Sequence, residues 1–206
     1  MGFVSFVRNI ATKKEKRVTT IPDEYCKIDL KRTIYDYVAT QKRYEHLKKS
    51  EVTDMSDDNL ENAVMSWIWN KFNKEWSDQY EIVQSLPKPC QDVYSCRTVF
   101  DEINNGGFNQ LFFNSTGQFA VMAQRGFLAL GAGKLSDIMK ESVEIFNANK
   151  TVLEKYNDGK MESFIDSYSE ELFDALDSKF YSECETCELD KLIIRYIKEN
   201  ADCFGD

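Results

Sequence analysis

The sequence offers few side chains that could carry out acid–base or nucleophilic chemistry. Histidine, the usual proton-transfer group near neutral pH, occurs only once, as His46, in a charged segment with little hydrophobic pattern. No serine or cysteine nucleophile motif accompanies it. We therefore interpret His46 as a surface residue and expect that the protein is not an enzyme.

Cysteine is better represented, and one pair has the spacing of a metal or redox motif. Cys184 and Cys187 are separated by two residues, but the other four cysteines form no second pair of this kind. A tetrahedral zinc site would need Cys203 and a distant fourth ligand. A redox pair would normally open a helix after a strand, which is not predicted here. We predict reduced structural thiols, no metal site and no cofactor.

Residues 131–136, Gly-Ala-Gly-Lys-Leu-Ser, partly match a phosphate-binding loop. That motif requires glycine five residues before its second glycine, where this chain has Leu128. It also requires Ser or Thr directly after the lysine, where this chain has Leu135. A helix, not the required strand, is predicted before the segment, so we do not interpret it as a nucleotide site.

The most distinctive polar residues surround a glycine pair between two predicted helices. Gly106–Gly107 can adopt positive φ and end one helix where the next begins, and Asn105 suits a cap position. Gln110 and Asn114 share a helix face, and Glu102 lies one turn before the glycines. Two interpretations stay open: a polar-capped corner between packed helices, or a binding site formed by Glu102, Asn105, Gly106, Gly107, Gln110 and Asn114.

Hydrophobic residues at three- and four-residue intervals predict the helices that position this corner. No segment shows the alternation, or the β-branched runs between turns, that is typical of strands. The predicted fold class is therefore all-α, a single-domain multi-helix bundle with a basic N-terminal extension. The predicted helices cover residues 27–49, 60–83 with a break near 77–78, 91–104, 108–114, 118–130, 135–146, 161–176 and 189–197.

Charge is distributed unevenly along the 206 residues. Residues 1–50 contain 12 Lys and Arg against six Asp and Glu, a net charge of +6, and the remainder has a net charge of −15. We predict a basic arm and helix over residues 1–52 and an acidic all-α domain over residues 53–206. An acidic surface repels nucleic acid and attracts basic proteins, so direct DNA binding is not expected.

The hydrophobic residues are interspersed with charges, and no run is long enough to cross a bilayer. We therefore expect no membrane insertion. The first residues lack the apolar region and small-residue cleavage site of a signal peptide, because Arg8 ends the short apolar run. The expected location is the cytoplasm.

The glycine corner also carries a resemblance to a known family. Residues 102–110, with Phe112, Phe113, Asn114 and Gly117, resemble the signature of the bacterial DNA-mimic protein domain family, much of which is catalogued as a domain of unknown function. The likeness continues through residues 127–133, 176–181 and 192–200 to Phe204. It covers about residues 58–204 and leaves the basic first fifty residues outside.

The resemblance implies an all-α domain that binds a protein and catalyses no reaction. In a DNA mimic, surface carboxylates take the place of phosphates and occupy the DNA-binding face of a basic regulatory protein. An immunity or antitoxin-like inhibitor of a basic toxin would use the same electrostatics and is the alternative. The sequence leaves open whether the chain forms a homodimer. The carboxylates predicted to contact the partner are Asp166, Glu170, Glu171, Asp174, Asp177, Glu183, Glu185 and Glu188.

Overall fold

The computed structural model describes residues 44–73, 75–156, 158 and 160–206. These residues form ten α-helices and no strand, which confirms the predicted all-α class. The basic arm and most of the helix predicted over residues 27–49 lie outside the described residues. The helices are α1 (Lys49–Asp54), α2 (Asp57–Trp69), α3 (Gln79–Ser85), α4 (Lys88–Phe113), α5 (Ala120–Leu130), α6 (Gly133–Ala148), α7 (Lys150–Glu154), α8 (Met161–Ser167), α9 (Asp174–Cys184) and α10 (Leu189–Glu199).

The described chain divides into two compact units, one of residues 91–193 and one of residues 44–90 with 194–206. Short 3₁₀ helices at Ser115–Phe119 and Tyr168–Glu170 belong to the first unit, and Ala201–Cys203 belongs to the second. The predicted boundary between residues 52 and 53 stays a prediction, because residues 1–43 are not described.

The first unit is organised around the packing of α6 against α5 and α9. Its centre is aromatic: Phe108 and Phe180 are fully buried and meet edge to face, with ring centroids 5.8 Å apart. Burial of one such side chain stabilises the fold by roughly 1.5–3 kcal/mol. Helix α5 ends where Gly131 adopts φ 90°, and the Ala132 N–H then donates to the Phe127 carbonyl, as a left-handed C-terminal cap requires.

The second unit buries apolar side chains of α1, α2 and α10 together with the chain terminus. Trp67 donates its indole N–H to the Asp206 carboxylate at 3.1 Å, and the Asp206 N–H donates to the Leu47 carbonyl at 2.8 Å. His46 lies beside Asp206 with 84% of its side chain exposed, which is consistent with a surface residue. The fully buried side chains include Leu47, Leu60, Val64, Ile68, Ile197 and Phe204.

Two predicted helices are shorter than their hydrophobic patterns suggest. Helix α2 ends at Trp69, so the prediction that it continues to residue 76 is wrong, whereas α3 begins at Gln79, just after the predicted break near residues 77–78. Side chains replace the helical hydrogen bonds there: the Asn73 N–H donates to Asp78, and the Ser77 N–H donates to Asn73. Such local side-chain bonds compete with helix formation.

The prediction of a single helix over residues 161–176 is also wrong. Helix α8 ends at Ser167, a 3₁₀ turn follows, and Glu171 adopts φ 52° before α9 begins at Asp174. The break brings the Tyr168 hydroxyl to the Gly106 carbonyl and buries Phe173. Tertiary contacts therefore outweigh the local periodicity of this segment.

Candidate functional site

The glycine pair breaks α4, as predicted. Gly106 has φ −156° and ψ 26°, and Gly107 has φ 74° and ψ −174°. The Gly107 conformation is one that residues with a side chain rarely adopt. A Cβ atom at Gly107 would also lie 2.5 Å from a carboxylate oxygen of Asp177. Both the backbone conformation and the close approach therefore require glycine here.

Glu102 joins the two halves of the broken helix. Its Oε1 accepts hydrogen bonds of 2.7 Å from the side-chain amides of Gln110 and Asn114. Its Oε2 accepts a bond of 3.2 Å from the Thr116 hydroxyl. Gln110 and Asn114 bond to the same oxygen, as expected for two residues that share a helix face. Asn105 forms no side-chain hydrogen bond within the described residues, so the predicted cap is not seen.

The cap comes instead from residues that are distant from this corner in the sequence. The Asp177 carboxylate accepts a hydrogen bond of 2.9 Å from the Phe108 N–H, the first helical donor after the glycines. Tyr168 and Tyr181 donate their hydroxyl hydrogens to the carbonyls of Gly106 and Ile103, at 2.8 and 3.0 Å. These partners lie more than 60 residues apart in the chain, so no local spacing could have indicated them.

Burial changes the ionisation of these capping groups. It raises the pKa of Asp177 from its usual value of 3.8 to about 6, and the nearby Asp174 charge acts in the same direction, while the Phe108 N–H opposes the shift. Burial, followed by the charge of Asp177, also raises the pKa of Tyr168. The Tyr168 hydroxyl therefore keeps its proton and remains a donor to the Gly106 carbonyl.

These contacts are those of a polar-capped corner. The Glu102 and Asp177 carboxylates are occupied by hydrogen bonds from within the first unit. Among the described residues, no fully buried side-chain nitrogen or oxygen lacks a hydrogen-bond partner. The arrangement thus fixes the direction of α4 after the glycine pair and supports the structural interpretation of the family signature.

The eight predicted partner-binding carboxylates fall into two groups, and the first is engaged within the chain. Glu170 accepts from the Lys155 ammonium at 2.6 Å and from the Tyr156 hydroxyl, and these bonds lower the pKa of Glu170. Glu183 pairs with Lys134 at 3.0 Å, and Glu188 pairs with Lys191. With Asp177 at the cap, four of the eight have internal partners.

The second group is exposed and has no ion pair with a described residue. It comprises Asp166, Glu171, Asp174 and Glu185. Glu162, which is not among the eight, is also exposed and lies four residues before Asp166 on the same helix face. These five exposed carboxylates, none of which has an ion pair with a described residue, are the candidate functional group, here named the acidic face.

The remaining sequence motifs do not form a site in the described part of the chain. Cys184 and Cys187 form no disulfide, and burial, followed by the Glu183 charge, raises the pKa of Cys187. No group of three or more potential metal ligands occurs among the described residues. Residues 131–136 form the C-terminal cap of α5 and the first turn of α6, not a loop after a strand. No described helix has both the length and the apolar character needed to span a membrane.

Comparison with known proteins agrees with the signature around the glycine pair. No match to the chain is found among curated proteins or among solved structures. A model of the DMP19-like protein family matches residues 84–200. This range extends from just before α4 to the end of α10 and includes both the glycine corner and the acidic face. The chain belongs to the DMP19-like protein family.

Proposed function

We propose that the chain is a non-enzymatic binding protein whose acidic face occupies the DNA-binding surface of a basic regulatory protein. The main observation in support is that the carboxylates of the acidic face are exposed and have no ion pair with a described residue. They belong to Glu162, Asp166, Glu171, Asp174 and Glu185. Membership of the DMP19-like family is consistent with this role. Such a protein would act in the cytoplasm, where regulatory DNA-binding proteins work.

The density of charge supports the proposal. Residues 161–190 contain ten Asp and Glu and only one Lys, a net charge of −9 over thirty residues. B-DNA presents one phosphate charge per about 1.7 Å of its axis, so a mimic needs many carboxylates close together. Lys134, Lys155 and Lys191 neutralise part of this charge, which concentrates the attraction for a partner on the acidic face.

The proposal is tested by neutralising the acidic face without changing the volume of the side chains. One variant carries Asp166→Asn, Glu171→Gln, Asp174→Asn and Glu185→Gln. A matched control carries Asp54→Asn, Glu81→Gln, Asp137→Asn and Glu144→Gln, which removes the same charge from exposed positions elsewhere. Both variants should fold, because none of these side chains has an ion pair among the described residues.

Immobilised full-length protein is used to capture proteins from a lysate of the source organism at about 50 and about 200 mM salt. We expect a basic DNA-binding protein to be retained at low salt, to be lost at high salt and to be displaced by duplex DNA. The face variant should bind at least about tenfold more weakly than the control variant. Equal binding by both variants, or a partner that duplex DNA cannot displace, would refute DNA mimicry. A captured toxin whose activity is blocked would favour the immunity-type inhibitor instead.

A further inference from the structure

A cavity of about 150 Å³ lies in the first unit, and none of the residues of the Glu102 hydrogen-bond network lines it. Phe112, Phe146 and Phe173 form its aromatic walls, and Asn109 and Ser167 contribute polar groups. Lys150 and Glu154 of α7 stand at its exposed edge. None of these residues belongs to the acidic face, so the cavity is formed by other residues than those that carry the proposed function.

The aromatic walls of this cavity suit a ligand with a flat ring. Phe112 stacks against Phe146 with a centroid distance of 4.4 Å and an interplanar angle of 11°, and against Phe173 at 5.5 Å and 27°. A cavity of this volume lined by apolar side chains can hold one benzene-sized molecule. An aromatic ring in this cavity would extend the existing stack and gain offset or edge contacts with the three phenylalanines.

The side-chain amide of Asn109 indicates that the aromatic ring of the ligand carries a polar substituent. The residue is only 9% exposed, and its side-chain amide, which solvent still reaches, forms no hydrogen bond with any described residue. An amide offers two donor hydrogens and one acceptor oxygen. A purely apolar ligand would cut this group off from water without replacing its hydrogen bonds, which weakens binding. A hydroxyl on the ring would form a hydrogen bond with this amide.

The outer edge supplies two opposite charges. Lys150 and Glu154 are four residues apart on one helix face, both exposed, and neither forms an ion pair with a described residue. Their spacing suits a ligand whose tail carries a carboxylate and an ammonium group together. The carboxylate would meet the Lys150 ammonium, and the ammonium group would meet the Glu154 carboxylate.

We propose that this cavity is a binding site for a free aromatic amino acid with a hydroxylated ring. The ring lies against the stacked side chains of Phe112, Phe146 and Phe173, the ring hydroxyl bonds to Asn109, and the zwitterionic tail lies between Lys150 and Glu154. The site would give the protein a small-molecule ligand in addition to a macromolecular partner.

Binding to the full-length protein is measured by ligand-observed saturation-transfer NMR and by titration calorimetry. The probes are L-tyrosine, L-phenylalanine, tyramine and 3-(4-hydroxyphenyl)propionate. We expect L-tyrosine to bind with a Kd of about 1 mM or tighter, the affinity that a ligand of this size typically reaches. Each of the other three probes lacks one of the matched groups and should bind at least about fivefold more weakly.

Three variants assign the contacts. Lys150→Gln should weaken L-tyrosine and the propionate by about fivefold and leave tyramine unchanged, whereas Lys140→Gln, on the exposed side of α6, should change nothing. Asn109→Leu should abolish the preference for L-tyrosine over L-phenylalanine. If Asn109→Leu does not fold, the comparison of the four probes on the natural protein decides the point. Absence of binding by all four at about 2 mM, or equal binding of tyrosine and phenylalanine, would overturn the proposal.

Discussion

The Glu102 carboxylate accepts a hydrogen bond of 2.7 Å from the side-chain amide of Asn114, which lies twelve residues further along the chain and beyond the glycine break. The same oxygen accepts from Gln110 at 2.7 Å, so one carboxylate joins the two halves of α4. This junction fixes the direction in which Phe108 and Leu111 enter the core, where both are fully buried.

We expect Glu102→Ala to lower the free energy of unfolding by about 2–4 kcal/mol, because three donors lose a charged, partly buried acceptor. Gln110→Ala and Asn114→Ala should each cost about 1 kcal/mol, since each removes one bond. Urea denaturation followed by circular dichroism gives these values. The control is Glu144→Ala at an exposed position, which should stay within about 0.5 kcal/mol of the natural protein. A Glu102→Ala loss no larger than that of the control would contradict the role of Glu102.

Substitution of Gly107 should be far more damaging than substitution of Gly133. We expect Gly107→Ala to destabilise the protein by about 2–4 kcal/mol, because alanine is strained at φ 74° and its Cβ would lie 2.5 Å from the Asp177 carboxylate. Nothing lies within 4 Å of a Cβ placed at Gly133, the first residue of α6, so Gly133→Ala should be neutral or stabilise by up to about 1 kcal/mol. Thermal unfolding of the two variants measures the difference, and equal losses would show that the corner tolerates a side chain.

Asp177 should make stability depend on pH. Its pKa of about 6 in the folded protein exceeds the usual value of 3.8, so the folded state binds the proton more tightly between these values. Its contribution to stability is therefore highest below about pH 4 and decreases as the pH rises to about 6. Asp177→Asn keeps an acceptor for the Phe108 N–H and removes the buried charge.

The free energies of unfolding of the natural protein and Asp177→Asn should be compared from pH 4 to pH 7. Relative to Asp177→Asn, the natural protein should lose roughly 2–3 kcal/mol across this range. The exposed Asp166→Asn control should show no such change. A constant difference between the natural protein and Asp177→Asn would mean that the carboxyl group is not protonated more readily in the folded state.

A second buried carboxylate depends on an arginine. Asp92 is 3% exposed and accepts hydrogen bonds of 3.0 and 2.8 Å from Nε and an Nη atom of Arg125. We expect Arg125→Met to cost about 3–5 kcal/mol, because the buried charge of Asp92 loses its guanidinium. The double variant Arg125→Met with Asp92→Asn should recover part of that loss. Chemical denaturation of the single and double variants tests this coupling, and additive effects would rule it out.

Several features of this protein follow from the sequence alone. The hydrophobic periodicity predicts the all-α class and most of α4, α5, α6 and α10, because an amphipathic helix must repeat its apolar residues every three or four positions. Gly106–Gly107 and Gly131 predict the ends of helices, since only glycine readily adopts positive φ. Helical spacing also indicates that Glu102 lies near Gln110 and Asn114. One helical turn separates Glu102 from the glycine break, and another separates the two side-chain amides.

Tertiary structure decided what depends on residues far apart in the chain. Asp177 caps the helix that begins at Phe108, 69 positions away, and Tyr168 ends α8 by bonding to Gly106. Tertiary structure also decided which of the predicted carboxylates are exposed without an ion pair and which are neutralised by one, such as Glu183 beside Lys134. Local spacing reports only the geometry of one turn, whereas these contacts depend on how helices pack, and packing energy can interrupt a helix whose own sequence would continue it.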